Sequence, residues 1–396
     1  MENKFGLFIH WGVYSAFAWH EQALAKLQIP FEEYDAMASS FNPEGLNVEE
    51  WVLLAKKAGM KYICFTTKHH DGFCLWNTKY TDYNIMNTPY GKDVLKDLAE
   101  ACKKHGIALS LYYSNPDWHH EKAYNPLSSH QWGARNRIET DLTEYRAFIK
   151  NQITELLTDY GEIYTLFWDI PPQIEDPSLN ELARRLQPKI LINDRGWSKG
   201  DFSTPERELP TGERFERPTE ACQSVGEQSW GYREEEDYYS VRFLLSSIDK
   251  IMAMGGSYLL NVGPKANGEI PDKARKSVEA VGSWYNRMEG VLEGNTAPKY
   301  PLNISGEGVV NDKDGKTYLH FFNGLHSASV HLYEGAPCIP KKARLLNDGR
   351  ELRIRCQKLP YRQEKTGICE KEYISICDIP CDKFPLEPIV IELIWE

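Results

Sequence analysis

Residues 62–73, YICFTTKHHDGF, begin as an apolar run and change abruptly into a row of titratable side chains. Residues 62–65 have the composition of a buried strand. The polar row at 68–71, KHHD, is a poor end for a strand that only fills a core. In α/β barrels, functional side chains lie at the carboxyl ends of the strands. The stretch therefore predicts a strand that ends in a functional site.

Helical patterns and short apolar strands alternate over most of the chain. A capping-box sequence at 47–50 predicts a helix that ends at Gly59, directly before the strand at residue 62. A second amphipathic helix ends at Gly106, before the next strand, and further helices are predicted near 141–159, 178–186, 238–254 and 278–288. The predicted strands are KFGLFIHW (4–11), YICFTT (62–67), IALSLYYS (107–114), IYTLFWD (163–169), ILIND (190–194), TEACQSV (219–225) and GGSYLLNVGP (255–264).

Strands that alternate with helices form parallel βαβ units. The seven predicted strands are one short of a (β/α)8 barrel. A dinucleotide-binding fold would have a GxGxxG turn after its first strand, and the sequence has none. We therefore predict an α/β fold with a (β/α)8-like (TIM) barrel that need not be regular.

The pattern changes after Gly290. GVLEGNTAPKYP (290–301) reads as a linker, and short alternating runs such as TYLHFFNG (317–324) and PIVIELIWE (388–396) follow, separated by turn residues. Such runs are typical of an all-β sandwich. We predict a catalytic barrel over residues 1–294 and a C-terminal β-sandwich domain over residues 295–396.

The composition and charge of the chain limit the classes of partner that we expect it to bind. The 396 residues carry a net charge of −11, which argues against nucleic acid or an anionic membrane as the main partner. No stretch approaches the about 18 apolar residues of a membrane helix. The N-terminal MENKFGLFIHWG lacks the features of a signal peptide, and the nine cysteines, with no CxxC pair, are typical of reduced thiols. We expect a cytoplasmic protein, although a chain that had lost a leader would look the same; the oligomeric state is not indicated.

Polar side chains follow each predicted strand. In a barrel these ends converge on one pocket, and a polar pocket with aromatic walls suits a neutral polyhydroxylated ligand, first of all a sugar. The residues at the strand ends are His10, Trp11, Lys68, His69, His70, Asp71, Tyr112, Tyr113, Ser114, Trp168, Asp169, Asn193, Asp194, Arg195, Thr219, Glu220 and Asn261.

The histidines are the candidates for a metal site. Zinc sites on barrels commonly use His-x-His, because alternate residues of a strand share a face. His69 and His70 are adjacent and would point to opposite faces if the strand continued, and the sequence has no HExxH motif or cysteine cluster. We therefore predict no metal and no cofactor, and hydrogen bonds from neutral imidazoles to sugar hydroxyls. Histidines in a core or on the surface are the alternative.

Glycoside hydrolysis needs two carboxylates. Asp169 is the leading candidate for the nucleophile, because a lone carboxylate after an apolar strand is costly without a function. A loop cap or an ion pair with Arg195 is the alternative. Glu220 is the candidate acid, and the sequence alone does not separate it firmly from four other glutamates, Glu21, Glu213, Glu216 and Glu227.

Five segments, read in order, closely resemble motifs of glycoside hydrolase family 29, the α-L-fucosidases. They are KFGLFIHWGVYS (4–15), AGMKYICFTTKHHDGFCLW (58–76), LYYSNPDWHH (111–120), SWGY (229–232) and GGSYLLNVGP (255–264). The resemblance implies a (β/α)8-like barrel followed by a β-sandwich, and a retaining double displacement without a metal. It also implies roles for Asp169 as nucleophile, for Glu220 as acid/base, and in substrate binding for His10, Trp11, His69, His70, Tyr113, Arg195 and Trp230.

The chain departs from the family pattern in two places. The family usually has Trp-Phe-Asp-Gly around the nucleophile, where this chain has FWDI (167–170) followed by Pro171-Pro172. The loop AWHEQALAKLQ (18–28) lacks the common Glu-Trp-Tyr run, which leaves Trp19, His20 and Glu21 open as ligands. These departures bear on the sugar and its leaving group more than on the chemistry.

We predict a retaining exo-α-L-fucosidase that removes terminal fucose from oligosaccharides or glycoconjugates. The alternatives are a glycosidase of the same family acting on a related sugar such as a galactoside, a non-catalytic carbohydrate-binding barrel, and a metal-dependent hydrolase.

Overall fold

The computed structural model describes residues 2–208, 210–363 and 367–395, and of Glu289 and residues 357–363 and 367–372 the backbone alone. The chain forms two compact units. The first comprises Met1–Glu208, Arg217–Tyr239 and Ser257–Gly282, and the second Leu209–Glu216, Ser240–Gly256 and Ser283–Glu396. The domain boundary between residues 294 and 295 stays a prediction.

The first unit is built on a seven-stranded parallel sheet. Its strands are β1 Phe5–Ile9, β2 Tyr62–Lys68, β3 Ala108–Ser114, β4 Ile163–Asp169, β5 Leu191–Ile192, β6 Glu220–Ser224 and β7 Ser257–Val262. Their order is β5-β4-β3-β2-β1-β7-β6, and each strand lies within a predicted run except β2, which continues one residue further, to Lys68. The predicted α/β class with an irregular barrel is confirmed.

An extended segment lies between the two edge strands of this sheet. Asn193, after β5, forms a parallel bridge with Phe202, and Ser203 forms one with Thr219, directly before β6. The backbone N–H of Glu220 donates to the carbonyl of Ser203 at 2.8 Å. Residues 202–206 therefore occupy the place of the strand that sequence reasoning did not find.

Helices lie between and after the strands, and all but those at residues 23–26 and 31–39 lie where a helix was predicted. They are α1 Ala23–Lys26, α2 Phe31–Ser39, α3 Val48–Lys57, α4 Val94–His105, α5 Thr143–Thr158, α6 Pro177–Leu186, α7 Val241–Ala253 and α8 Asp272–Leu292. The start of α3 is as predicted, but the Asn47 side chain forms no capping hydrogen bond. Gly106 ends α4 in the left-handed conformation, φ 70°, which glycine adopts most readily. No helix of the described residues is long and apolar enough to cross a membrane.

Alternate residues of the parallel strands fill the interior of the first unit. Because successive side chains of a strand point to opposite faces, one set faces inward and the other packs outward. The inward cluster consists of Phe8, Tyr62, Cys64, Tyr112, Phe167, Cys222 and Leu259. This parity decides which residues at the carboxyl ends reach the pocket.

The second unit carries an eight-stranded sheet whose pairs are all antiparallel, in the order β8-β11-β14-β13-β12-β15-β10-β9. These strands share a buried core that includes Leu319, Phe321, Ile376 and Ile391. The predicted all-β C-terminal domain is confirmed. Its strands are β8 Asn303–Ile304, β9 Val309–Lys313, β10 Lys316–Phe321, β11 Val330–Glu334, β12 Lys342–Leu345, β13 Glu351–Gln363, β14 Gly367–Cys377 and β15 Ile389–Ile394.

Candidate active site

A pocket opens at the carboxyl ends of the parallel strands, where the barrel fold places functional groups. The strands and their ends contribute Phe8, His10, His69, His70, Tyr112, Phe167 and Asp169. The loops and the irregular segment contribute Glu21, Gln22, His130, Ile170, Glu206 and Trp230. Within the described part of the chain, no group of three or more His, Cys, Asp or Glu side chains is arranged to hold a metal ion.

Asp169 is the last residue of β4 and lies inside the pocket. Its Oδ2 accepts a hydrogen bond from the hydroxyl of Tyr112 at 2.7 Å, and its Oδ1 accepts one from Arg195 Nη1 at 3.2 Å. His70 Nε2 lies 3.8 Å from Oδ2. Burial opposes ionisation, but the Arg195 guanidinium, His70 and the Tyr112 hydroxyl outweigh it and lower the pKa of Asp169. The carboxylate is therefore ionised at neutral pH, as a nucleophile must be.

The three predicted histidines all line the pocket. β2 ends at Lys68, so His69 and His70 both lie beyond the strand and both rings reach the pocket, with centroids 4.1 Å apart. His10 Nδ1 lies 2.6 Å from Asn261 Oδ1, and His70 Nδ1 lies 2.7 Å from the Ser114 hydroxyl. These contacts fix the orientation of both rings.

The histidines are uncharged in this environment. Burial lowers the pKa of His10 and of His70 to about 4, and it lowers the pKa of His69 well below the ordinary value. A neutral imidazole has one N–H donor and one acceptor nitrogen. His69 Nδ1 is buried and has no hydrogen-bond partner among the described residues.

Three of the predicted substrate ligands, Tyr113, Trp11 and Arg195, are not among the residues that line the pocket. Tyr113 follows the inward-facing Tyr112, so its hydroxyl donates to Gln152 on α5 at 2.7 Å. Trp11 follows His10, packs against Phe41 and Trp51, and donates its indole N–H to the carbonyl of Lys265 at 2.8 Å. The tyrosine that reaches the reacting centre is Tyr112.

Glu220 is not where the sequence placed it. It is the first residue of β6 and pairs with Ser257, the first residue of β7, so it lies at the amino ends of the strands. Its side chain is fully buried and accepts a hydrogen bond from the hydroxyl of Tyr62. Asp169 ends β4, so the two carboxylates are separated by most of a strand length. The expectation that Glu220 stands at a carboxyl strand end is wrong.

The glutamate that does approach Asp169 is Glu206, which sequence reasoning did not single out. It lies in the irregular segment 202–206, and its Oε1 accepts a hydrogen bond from Arg195 Nη1 at 2.5 Å. The same Nη1 donates to Asp169 Oδ1 at 3.2 Å. The Glu206 side chain is 41% exposed, so it lies at the mouth of the pocket.

The environment of Glu206 favours its protonated form. Burial of part of the side chain raises the pKa of Glu206, the Arg195 guanidinium opposes this, and the charge of Asp169 adds to the rise. The pKa is raised overall. Arg195 therefore joins an ionised carboxylate and one that is easier to protonate.

Glu21 is a second pocket carboxylate that the alternatives included. Its Oε2 accepts hydrogen bonds from the Ser229 hydroxyl at 2.8 Å and from the N–H of Trp230 at 2.9 Å. Burial opposes ionisation, but His20 and His10 outweigh it and lower the pKa of Glu21. An ionised carboxylate is better suited to accept a hydrogen bond from a hydroxyl than to act as a general acid.

Trp230 forms another part of the pocket wall, and the three remaining candidate glutamates lie away from the pocket. Trp230 stacks on His10 with ring centroids 5.4 Å apart, and the Arg207 guanidinium covers the Trp230 ring at 4.4 Å. Glu213, Glu216 and Glu227 are exposed and do not line the pocket.

The buried Glu220 predicts a pH dependence of stability. Burial raises the pKa of Glu220 from 4.5 to about 7, against the effect of the Tyr62 hydroxyl. The folded state therefore holds this proton more tightly, and stability falls as pH rises from about 4.5 to about 7, by on the order of 3 kcal/mol. We expect Glu220→Gln to lose this fall and to gain thermal stability over wild type at pH 8 but not at pH 4. Equal changes of Tm with pH in the two proteins would contradict this.

Three comparisons relate the chain to known proteins. A family model described as Alpha-L-fucosidase matches residues 1–289. Plasma alpha-L-fucosidase from Homo sapiens is 26% identical over 329 residues, covering 74% of this chain and 69% of that protein. Alpha-L-fucosidase isoenzyme 1 from Paenibacillus thiaminolyticus is 32% identical with a TM-score of 0.84, covering 100% of this chain and 97% of the other. An alpha-L-fucosidase from Bacteroides thetaiotaomicron, solved as a trapped covalent intermediate with 2-fluoro-fucosyl fluoride, is 25% identical with a TM-score of 0.77, covering 99% and 94%.

Proposed function

The chain belongs to the alpha-L-fucosidase family of glycoside hydrolases, and on that premise we propose that it removes terminal α-L-fucose from fucosylated glycans. The reaction is a retaining double displacement in which Asp169 is the nucleophile and Glu206 is the acid/base. The substrate is a fucosylated oligosaccharide or glycoconjugate.

One observation carries the assignment of the two carboxylates. Asp169 Oδ1 and Glu206 Oε1 both accept from Arg195 Nη1, at 3.2 and 2.5 Å, so these two oxygens are at most the two distances together, 5.7 Å, apart. Retaining glycosidases hold their carboxyl groups about 5–5.5 Å apart, and inverting ones about 6.5–9.5 Å. The geometry supports direct attack by Asp169 on the anomeric carbon.

The charges of the two groups are linked during the reaction. While Asp169 is ionised, its charge raises the pKa of Glu206, so Glu206 takes up the proton for the leaving oxygen more readily. Formation of the glycosyl–Asp169 bond removes that charge. The pKa of Glu206 then falls, because Arg195 still contacts it, and Glu206 can take the proton of the attacking water. Its position at the pocket mouth is where the leaving group departs and water arrives.

The rest of the pocket binds the sugar. His10, His69 and His70 offer neutral donors and acceptors to its hydroxyls, and the ionised Glu21 offers an acceptor. Phe8, Phe167 and Ile170 form an apolar part of the wall that suits the C–H faces and the methyl group of fucose. The cytoplasmic location also remains our proposal, on the sequence grounds given above.

The activity is tested with aryl glycosides. We expect turnover of an aryl α-L-fucoside, and little turnover of an aryl α-L-galactoside, which differs from the fucoside only by a hydroxymethyl group in place of the methyl. Proton NMR during the first minutes should show α-L-fucose before mutarotation. Preference for the galactoside would favour a sister activity, β-L-fucose as first product would contradict the retaining mechanism, and binding without turnover would indicate a carbohydrate-binding barrel.

A further inference from the structure

A loop at the mouth of the pocket has no role in the chemistry described above. Residues 125–137, the mouth loop, lie between β3 and α5, and His130 brings the loop to the pocket wall. The His130 ring lies 5.3 Å from the ring of His70, centroid to centroid, and 4.4 Å from the indole of Trp132. A row of three rings therefore runs from His70 in the pocket wall through His130 to Trp132.

Hydrogen bonds tie the mouth loop to the segment that follows Asp169. The Asn125 side chain donates to the carbonyl of Pro172 at 2.6 Å, and the Ser128 hydroxyl donates to the carbonyl of Pro171 at 3.0 Å. These are the two prolines in which the chain departs from the family pattern. The loop is thus positioned relative to the nucleophile.

Contacts with Trp118 fix the turn that carries Trp132. The Trp118 indole N–H donates to the carbonyl of His130 at 2.7 Å. Gly133 lies against the Trp118 ring so closely that a Cβ would stand 2.4 Å from it. The turn is therefore built around Trp118, and Trp132 is held on it in a defined place.

Two residues at the rim have strained backbones. His130 adopts φ 63° and Ile170, directly after Asp169, adopts φ 60°. The left-handed region is unfavourable for most residues and especially for a β-branched one. Such strain persists where the surrounding structure imposes it, and it is concentrated at ligand-binding sites. The strain lies on both sides of the opening.

Trp132 remains 47% exposed in this fixed turn. An indole presents a large apolar face, and leaving it in water is unfavourable unless a ligand covers it. The C–H groups on one face of a pyranose match such a surface. Glu206 at the mouth delivers its proton to the glycosidic oxygen, so the leaving group of a bound fucoside must extend past the rim.

We propose that Trp132, supported by His130, forms a leaving-group subsite on which the pyranose attached to the departing fucose stacks. The proposal rests on the proposed function and narrows it. The substrates are fucosylated oligosaccharides in which fucose is linked directly to another sugar ring, and the subsite selects among their linkages.

The test compares two substrates that differ in whether they reach the subsite. One is the oligosaccharide that wild type cleaves fastest in a panel of fucosylated oligosaccharides of known linkage. The other is α-L-fucosyl fluoride, whose fluoride leaving group is too small to touch Trp132. We expect Trp132→Ala to lose about tenfold in kcat/KM on the oligosaccharide and to stay within about twofold of wild type on the fluoride.

Two further variants sharpen the result. Trp132→Phe keeps an aromatic face and should recover most of the loss, and Tyr80→Ala, which removes an aromatic side chain that is 44% exposed, should lose nothing on either substrate. Unchanged cleavage of the oligosaccharide by Trp132→Ala would overturn the proposal. Equal losses on both substrates would overturn it too, because they would indicate a disturbed loop. Wild type that cleaves the fluoride but no oligosaccharide would refute the subsite alone, and wild type that cleaves neither would refute the proposed function with it.

Discussion

Asp169→Ala is expected to lose turnover of every fucoside, by about 10⁴-fold or more in kcat. The carboxylate forms the bond to the anomeric carbon, and alanine offers no atom that could do so. The loss should be independent of the leaving group, since neither a good nor a poor one can be displaced. Steady-state kinetics on an aryl fucoside and on a fucosylated oligosaccharide measure it.

Azide distinguishes a lost nucleophile from a damaged pocket. In Asp169→Ala the anion can enter the space of the missing carboxylate and attack the sugar once, which should give β-L-fucosyl azide, with inverted configuration. Asp159→Ala is a suitable control, because Asp159 is an exposed residue at the end of α5. Substantial residual turnover, or an azide product of retained configuration, would contradict the nucleophile assignment.

The fold was predictable because its signals are local. Each parallel strand coincides with an apolar run. Each is followed or preceded by a helix that has a clear apolar stripe and a clear terminating signal. The exception is the segment 202–206. Pro205 has no N–H to donate, and the segment pairs with its neighbours only through isolated bridges, at Phe202, Ser203 and Glu206. No strand signal was there to find, so Glu206, which this segment carries, was missed with it.

Which residues of a strand reach the site depends on the alternation of its side chains between the two faces. A sequence fixes that alternation only when the last residue of the strand is known. Tyr112 and Tyr113 are equally polar, and a shift of one position exchanges the pocket for the outer face. His69 and His70 escape this limit, because β2 has ended before them. The two histidines were thus easier to place than the two tyrosines within β3.

Glu220 illustrates a different limit. A carboxylate in an apolar run indicates a function only if no partner satisfies it, and here the partner is the hydroxyl of Tyr62, 158 residues earlier in the chain. β2 and β6 are not neighbours in the sheet, and the contact arises because both side chains face the interior, which local patterns do not specify. The nearby Thr204-Pro205-Glu206 offered only a weak signal, a glutamate eleven residues after Arg195 in a loop-rich stretch.

Glu206→Ala is expected to separate substrates by their leaving groups. A sugar leaving group has a basic oxygen, and loss of general acid catalysis should cost it about 10²–10⁴-fold in kcat/KM. A dinitrophenolate leaves without a proton, so transfer of fucose to Asp169 should survive. Release from Asp169 then becomes slow, because no group activates water, and a burst of phenolate should precede a slow steady state.

Azide again identifies the role, now with the opposite stereochemistry. It needs no base, so it should attack the accumulated glycosyl–Asp169 and restore turnover of the aryl substrate, giving α-L-fucosyl azide with retained configuration.

Glu220→Gln, assayed at pH 6, is the matched control. It should keep wild-type rates on both substrates with no effect of azide, since the carboxyl group of Glu220 lies at the amino ends of the strands. If azide instead rescues a Glu220 variant and leaves Glu206→Ala unchanged, the acid/base is Glu220, and the contact between Arg195 and Glu206 serves only to position the guanidinium beside Asp169. Asp169 and Glu206 both accept a hydrogen bond from Arg195 Nη1, so their contacts alone do not tell the nucleophile from the acid/base. The leaving-group dependence and the configuration of the azide product distinguish the two roles.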